Sequence, residues 1–264
     1  MNNLIDSVKR TFGQGRSPAQ QLTRAQARKL IMKRIDPLIK QEGFVHRKGN
    51  NLWRITENKT DVIELRFLTM EEHQQFKIPE STFSINYGCY YHFIPDIYQG
   101  KFVHQIPELI TPREVDCHYR DQATRSIKQQ PKKMDMSAWH LDEPEDGQQL
   151  VLDDVATQLK AEVFPTLNRL KDLDQWLKVL ESEAPNLGTG NTNSVMRYFL
   201  LGFTYEKLGN NQQAKNYLIK AKGLSENQNK KLAKHLANVS PDAPLFTQAK
   251  IINDALTDLE KQAT

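Results

Sequence analysis

The spacing of apolar residues changes twice along this chain, and that change constrains the fold more than any motif. Between Phe44 and Tyr91 apolar and polar residues alternate, the period of a strand with one buried face. On both sides apolar residues recur every three or four positions, the period of a helix. Strands set apart from helices in this way define an α+β protein, an antiparallel β-sheet packed with helices. The alternating runs are Phe44 to Lys48, Asn51 to Thr56, Asp61 to Thr69 and Thr82 to Tyr91, with Gly49-Asn50-Asn51 and Glu57-Asn58-Lys59-Thr60 as turns. The period predicts that Val62, Glu64 and Arg66 share one face, while Ile63, Leu65 and Phe67 share the face that covers a helix. A short extended segment, Val115 to Arg120, is expected to widen the sheet.

The helix before the sheet opens on a capping-box pair, Thr23 and Gln26, and carries Ala27, Leu30, Ile31, Ile35, Leu38 and Ile39 on one face. Gly43 stops it, and Pro37 predicts a kink or an early end. Residues 1–22, with Gly13, Gly15 and Pro18, read as a loosely attached arm. Beyond the sheet Asp142 to Asp146 reads as an acidic loop. Helical spacing then runs from Leu150 to Phe164, is interrupted by Pro165 and resumes from Leu167 to Leu180. These bounds give an α+β domain over residues 23–184. Residues 185–193, Pro-Asn-Leu-Gly-Thr-Gly-Asn-Thr-Asn, read as a linker to a helical region over 194–264. That region holds a helix pair, a short helix around Asn229 to Ala237 and a last helix after Pro244.

In the helix pair, Leu201, Gly202, Tyr205, Gly209, Ala214, Leu218 and Ala221 stand where a tetratricopeptide repeat places its contact and turn residues. Gly202 and Ala214 let two helix backbones approach, Tyr205 fills the gap between them and Gly209 ends the first helix. The pair resembles one such repeat and occurs once. A lone pair cannot bury its own face, so a tetratricopeptide-like, all-α C-terminal region is expected to lean on the neighbouring domain. The motif carries no chemistry.

With 264 residues and 38% apolar content the chain can bury a real core. No window approaches the roughly 18 apolar residues of a membrane span, and Met1 to Arg16 lacks the pattern of a secretory signal. A cytoplasmic protein that avoids membranes is the expectation. Cys89 and Cys117 have the spacing of neither a disulfide framework nor a zinc site and read as reduced, buried thiols. No metal and no cofactor is expected. The net charge of +4 hides an asymmetry: residues 1–60 hold thirteen Lys or Arg against four Asp or Glu, and residues 135–183 hold four against twelve. The basic residues are not interleaved with stacking aromatics. Mutual screening of the two segments is therefore preferred over a nucleic-acid patch.

A family resemblance covers residues 25–182. It rests on Ile35-Asp36-Pro37-Leu38-Ile39 followed by Gly43-Phe44, on Trp53, and on Phe83-Ser84-Ile85-Asn86-Tyr87-Gly88. Cys117-His118-Tyr119-Arg120, Trp139 and Leu167-Asn168-Arg169-Leu170 with Asp172 complete the order. In this order the segment resembles a widespread bacterial family known only as a domain of unknown function. The resemblance implies a small α+β domain with helices on an antiparallel sheet, and brings no activity or catalytic residues.

No Gly-rich phosphate loop, His-Glu-x-x-His, Gly-x-Ser-x-Gly or metal-spaced cluster is present. The best polar cluster is Asp116, His118 and Arg120, which alternate and would project together from one face of a strand, with Cys117 pointing the other way. The functional reading is recognition of an anion or a partner, Arg120 binding a carboxylate or phosphate and His118 changing charge near neutral pH. The structural reading, which is favoured, is a solvated face or an Arg120 paired with an acid from 135–183. Tyr90, Tyr91, Phe93 and Tyr98, near His92 and His104, form the densest aromatic patch, equally suited to an interface or a core. Trp53 and Trp139 read as core. The leading functional reading is a non-enzymatic protein–protein interaction module, in its most specific form a toxin-neutralising, immunity-type protein. The alternatives are an enzyme acting on a phosphorylated or nucleotide substrate through His118 and Arg120, and an RNA-associated protein using the basic first helix.

Overall fold

Thr23 and Gln26 form the expected capping box, each side chain accepting the other's backbone N–H, at 3.3 and 2.9 Å. They open α1 (Arg24–Gln41), which buries Ala27, Ile31, Ile35 and Ile39. The helix runs past Pro37 instead of ending there. The ring removes one backbone bond, and burial of Ile35 and Ile39 on either side outweighs that loss. The computed structural model describes residues 22–76, 78–96, 106, 108–128, 138–141, 145–182, 195–236 and 244–262. The arm up to residue 21 and the linker 185–193 lie outside them.

The alternating block becomes β1 (His46–Lys48), β2 (Asn51–Ile55), β3 (Lys59–Phe67) and β4 (Phe83–Tyr91). With β5 (Tyr119–Gln122) they form a meander in chain order, every neighbour antiparallel. A two-residue strand, β6 (Ala138–Trp139), pairs with the start of β4. Ile63, Leu65 and Phe67 join the helix-covered core, as their period predicts, and Val62 lies on the opposite face. The extended segment begins later than Val115 because Glu114–Asp116 is a short 3-10 turn. Between β3 and β4 stands a helix that alternation does not foresee, α2 (Met70–Phe76). Its signal is a second capping box, Thr69 with Glu72.

On the helix side of the sheet, α3 (Glu145–Gln158) passes through one wide turn, Leu159–Val163, into α4 (Phe164–Arg169). The Phe164 N–H bonds the Leu159 carbonyl five residues back, so Pro165, which has no N–H, is absorbed as a local widening and not as a break. Glu145 and Asp146 belong to α3, not to a loop; residues 142–144 lie outside the description. Arg34 of α1 meets Asp153 of α3 at 2.8 Å, which joins the basic first segment to the acidic one. Asp154 is buried and accepts the Trp139 indole N–H at 2.8 Å and the Ser126 N–H. Burial alone would raise its pKa, but these hydrogen bonds hold it below the ordinary value.

Asp172 caps α5 (Leu173–Glu181), and α6 (Val195–Lys207), α7 (Asn211–Leu236) and α8 (Pro244–Gln262) follow. The separate short helix expected from Asn229 is the continuation of α7, and Ala237 is outside the description. The one glycine on the way, Gly223, costs a long helix only about 1 kcal/mol. Apolar packing and one shared side chain join the helical region to the sheet. Trp176 of α5 stacks on Tyr91 at the end of β4, centroids 4.8 Å apart, and donates its indole N–H to Thr204 of α6 at 3.1 Å. A single buried hydrophobic cluster runs from α1 through the sheet to α8. Among the described residues no helix is long and apolar enough to cross a membrane.

Gly202 marks a close approach of α6 to α7, because a Cβ there would stand 2.6 Å from the Leu218 side chain. Gly202→Ala is expected to destabilise by roughly 1–3 kcal/mol despite the better helix propensity of Ala. Leu218→Ala in the same chain should relieve the overlap, so urea denaturation should show a double variant that costs less than the sum of the two. Strict additivity would contradict this contact.

Candidate functional site

The residues expected to form one polar cluster are placed in three different settings. His118 does not lie in β5 and does not project with Asp116 and Arg120. Its ring is packed between Tyr90, at 4.5 Å, and Tyr91, at 6.3 Å, and its Nδ1 accepts the Tyr91 N–H at 2.9 Å, which places the proton on Nε2. Although the residue as a whole is half-buried, its ring is enclosed. That burial, with the neighbouring His92 as a smaller cause, pushes its pKa down to about 3. Asp116 closes the turn before β5 by accepting the Arg113 N–H at 3.1 Å and its guanidinium at 2.9 Å. Arg120 is held in two hydrogen bonds, 2.7 and 3.0 Å, by the buried Glu114, not by an acid of residues 135–183. The turn at Glu114–Asp116 breaks the alternation. Cys117 consequently lies on the same face as Arg120, packed against Gly88, where a Cβ would come within 2.8 Å of it.

The aromatic patch is core and not an open surface. Tyr91 is 1% exposed, stacks on Trp176 and donates its hydroxyl to the Leu170 carbonyl. Tyr90 is buried beside Trp53, Val62 and Cys117, and Phe93 is half-buried against Tyr91 at 5.5 Å. Tyr98 and His104 lie outside the described residues. Trp53 and Trp139 are fully buried. Both thiols are buried with pKa values pushed up, foremost by burial, so neither is a ready nucleophile.

On the helix-covered face the alternation that points Ile63 inward also points Asp61 and Lys59 inward, and both are buried. Asp61 takes Lys59 Nζ at 2.6 Å on one oxygen and Arg54 at 2.7 and 2.8 Å on the other. The cations also close helix ends. Lys59 donates to the Leu167 carbonyl at 2.8 Å, and Arg54 donates to the Glu42 carbonyl at 3.1 Å and to Asn168 Oδ1 at 2.8 Å. Beside this network Leu38, Glu42, Lys160, Phe164 and Asn168 line a cleft of about 360 Å³. Its two best polar groups are already bonded to each other, Asn168 Nδ2 to Glu42 Oε2 at 3.2 Å.

The opposite face of the sheet is different. The connection through Ile106, Ile110 and Pro112 packs on Trp53, Val62 and Tyr90, the indole donating to the Pro112 carbonyl at 2.7 Å. The next row across the strands is polar. The register sets Asn51 opposite Glu64, Glu64 opposite Asn86, and Asn86 opposite Gln122, so four polar side chains cross β2 to β5 on one face. Glu64 is half-buried and has no hydrogen bond or ion pair among the described residues. Burial foremost, and the Glu114 carboxylate second, raise its pKa against the pull of Arg66, Arg113 and Arg120. Asn51 Oδ1 is buried without a hydrogen-bond partner among the described residues. Sequence alternation alone treats Glu64 as an ordinary solvent-facing acid. Only the strand register brings it into line with Asn51 and Asn86. Among the described residues no group of three or more His, Cys, Asp or Glu is placed to hold a metal ion.

Fold and site together define an α+β domain built on an antiparallel meander, with a polar row on one face of the sheet and helices on the other. Residues 35–169, just over half of the chain, match the family described as domain of unknown function (DUF4304), and the chain belongs to that family. The match ends at the last residue of α4, so α5 to α8 lie beyond it. No curated protein and no solved structure matches.

Two outcomes follow from the buried groups. Asp61→Ala leaves Lys59 and Arg54 buried without their carboxylate and should cost about 3–5 kcal/mol in chemical denaturation; a loss under about 1 kcal/mol would contradict the network. His118 is favoured as the neutral ring by the fold. Its contribution is complete above the ordinary pKa of 6.5 and is lost as the pH falls from there toward 3, by at most about 1.4 kcal/mol per pH unit. His118→Gln, which keeps an acceptor for the Tyr91 N–H, should lose less stability than the wild type between pH 6.5 and 4.5. Equal slopes would show that the ring is not held neutral.

Proposed function

We propose that this chain is a non-enzymatic protein-binding module acting in the cytoplasm. The observation that carries the reading is where its reactive groups are spent. His118 is pinned by Tyr91, Arg120 by Glu114 and Asp116 by Arg113, and both thiols are buried, while Glu64 and Asn51 Oδ1 have no hydrogen-bond partner among the described residues. An enzyme acting on a phosphorylated or nucleotide substrate would need His118 and Arg120 able to reach a phosphate together, and their placements give that reading no support. The basic side of α1 is largely committed as well: Arg24 holds the Leu68 carbonyl, Arg28 the Gly49 carbonyl, Arg34 Asp153 and Lys40 Asp36. This favours protein over RNA as the partner.

The helix pair α6 and α7 supports the same reading in a finer form. Its spacing, with Gly202 pressed on Leu218, is that of a tetratricopeptide-like unit, a scaffold suited to holding other proteins. In its most specific form the module is a toxin-neutralising, immunity-type protein, a reading that rests on analogy with chains of this composition.

The test is affinity capture with the tagged full chain from its native lysate, at two salt concentrations and with nuclease, read by mass spectrometry. The expected result is one stoichiometric protein that survives both treatments. Binding that falls steeply with salt and disappears with nuclease would contradict the reading and point to RNA. A capture with no specific protein, together with turnover in a phosphatase or nucleotide-hydrolysis screen, would point to an enzyme.

A further inference from the structure

We infer that β1 and the cleft beside it receive an extended acidic segment of the protein partner as an added edge strand, an inference that rests on the protein-binding reading above. The backbone supplies the first argument. β1 stands first in the sheet and pairs with β2 alone, so its outer side has no neighbouring strand among the described residues. The hairpin closes on a two-residue turn, Gly49-Asn50, with Gly49 in the left-handed region at φ 59°. The closing pair Lys48–Asn51 then exchanges both of its bonds, and the next pair, Arg47–Leu52, exchanges none. The Asn50 carbonyl accepts the Leu65 N–H at 3.0 Å, which fixes the same phase, since Asn50 and Leu52 both direct their backbone groups toward β3. The N–H and C=O of Arg47 therefore face outward, where a strand laid alongside would pair with them.

The side chains say what kind of strand fits. Val45 and Arg47 alternate with His46 and Lys48, and on the helix-covered side they rim a cleft of about 260 Å³ between β1 and the last turns of α1. Its floor is apolar, formed by Ile39, Phe44 and Leu52, and Asp36 and Lys40 stand on its α1 side. Val45 is 70% exposed, the most of any large apolar residue among those described. Lys40 and Arg47 share one carboxylate, Asp36, at 2.6 and 3.3 Å, and their own side chains stay 66% and 49% exposed. Lys33, on the same face of α1, and Lys48 are exposed too, so the rim is positive. Lysines on an edge strand commonly guard it against pairing with other strands, and for an acidic strand that guard becomes an attraction. A second copy of this chain would bring like charge to the edge and is disfavoured. In the antiparallel sense of the rest of the sheet, the occupant places acids opposite Lys48 and Arg47 and an apolar side chain over Val45.

The experiment is a backbone amide NMR titration of the full chain with a short capped peptide containing Glu-Glu-Thr-Val. Its controls are the Gln-Gln counterpart, the acidic peptide N-methylated at the glutamate that would face Arg47, and a single-stranded RNA oligonucleotide. The acidic peptide should give saturable shifts at residues 45–48. Binding should be at least about tenfold weaker for the Gln-Gln peptide, for the N-methylated peptide, and for the acidic peptide on an Arg47→Gln chain. Arg47→Gln should keep its denaturation midpoint, because its ion pair to Asp36 lies at the surface. Shifts absent from residues 45–48, or equal affinity for the acidic peptide and either modified one, overturn the edge site. Tighter binding of the RNA at the same residues overturns it in favour of a nucleic-acid surface. A captured protein partner that binds wild-type and Arg47→Gln chains alike overturns it too, and leaves the protein-binding reading standing.

Discussion

Asp61, fully buried between Arg54 and Lys59, is the interaction on which the remaining packing depends. A β-strand that alternates correctly for the core must place something at Lys59 and Asp61 on the helix face. In this chain it places charge, which cannot stay buried without partners. The partners are the carbonyl ends of other elements. Lys59 reaches Leu167 at the end of α4, and Arg54 reaches Glu42 just after α1 and Asn168 beside Leu167. The network therefore determines where α1 and α4 terminate relative to the sheet. Such a cluster contributes less to net stability than an apolar one of equal volume would, but removing any one charge strands the others.

At the same end of the sheet, where Tyr91 pairs with Lys59, the docking is aromatic. Tyr91 closes β4, Trp176 stacks on it, and the indole N–H passes the contact on to Thr204 in α6. This continuity answers the problem posed by a single helix pair, which cannot bury its own face: α5 supplies the missing layer. His118 belongs to the same construction. Stacked on Tyr90 and Tyr91 and accepting a strand-edge N–H, it finishes the side of β4 that β5 leaves unpaired.

Much of this fold is legible in the sequence, because the legible features are local. The capping box at Thr23, the alternation through Ile63, Leu65 and Phe67, and the close-approach glycine at 202 each follow from the chemistry of a few adjacent residues. The cluster of Asp116, His118 and Arg120 is misleading because a local turn overrides the period. Alternation assumes a strand, and the Arg113–Asp116 bonds close a turn there first. The helix after Thr69 was within reach, since Thr69 and Glu72 carry the same box as Thr23 and Gln26. Glu64 was not, because its significance lies in what stands opposite it on two other strands, and register is set by the packing of the whole sheet.

The central claim is that the groups able to do chemistry are spent on the fold, whereas Glu64 is not. Site-resolved NMR titration of the full chain, following the His118 ring nitrogens and the Glu64 side-chain carboxyl carbon, tests both halves together. The account predicts a His118 ring that stays neutral with its proton on Nε2 through pH 5, and a Glu64 that titrates above the ordinary carboxylate value. A His118 that titrates near 6.5 together with a Glu64 at the ordinary value would contradict it.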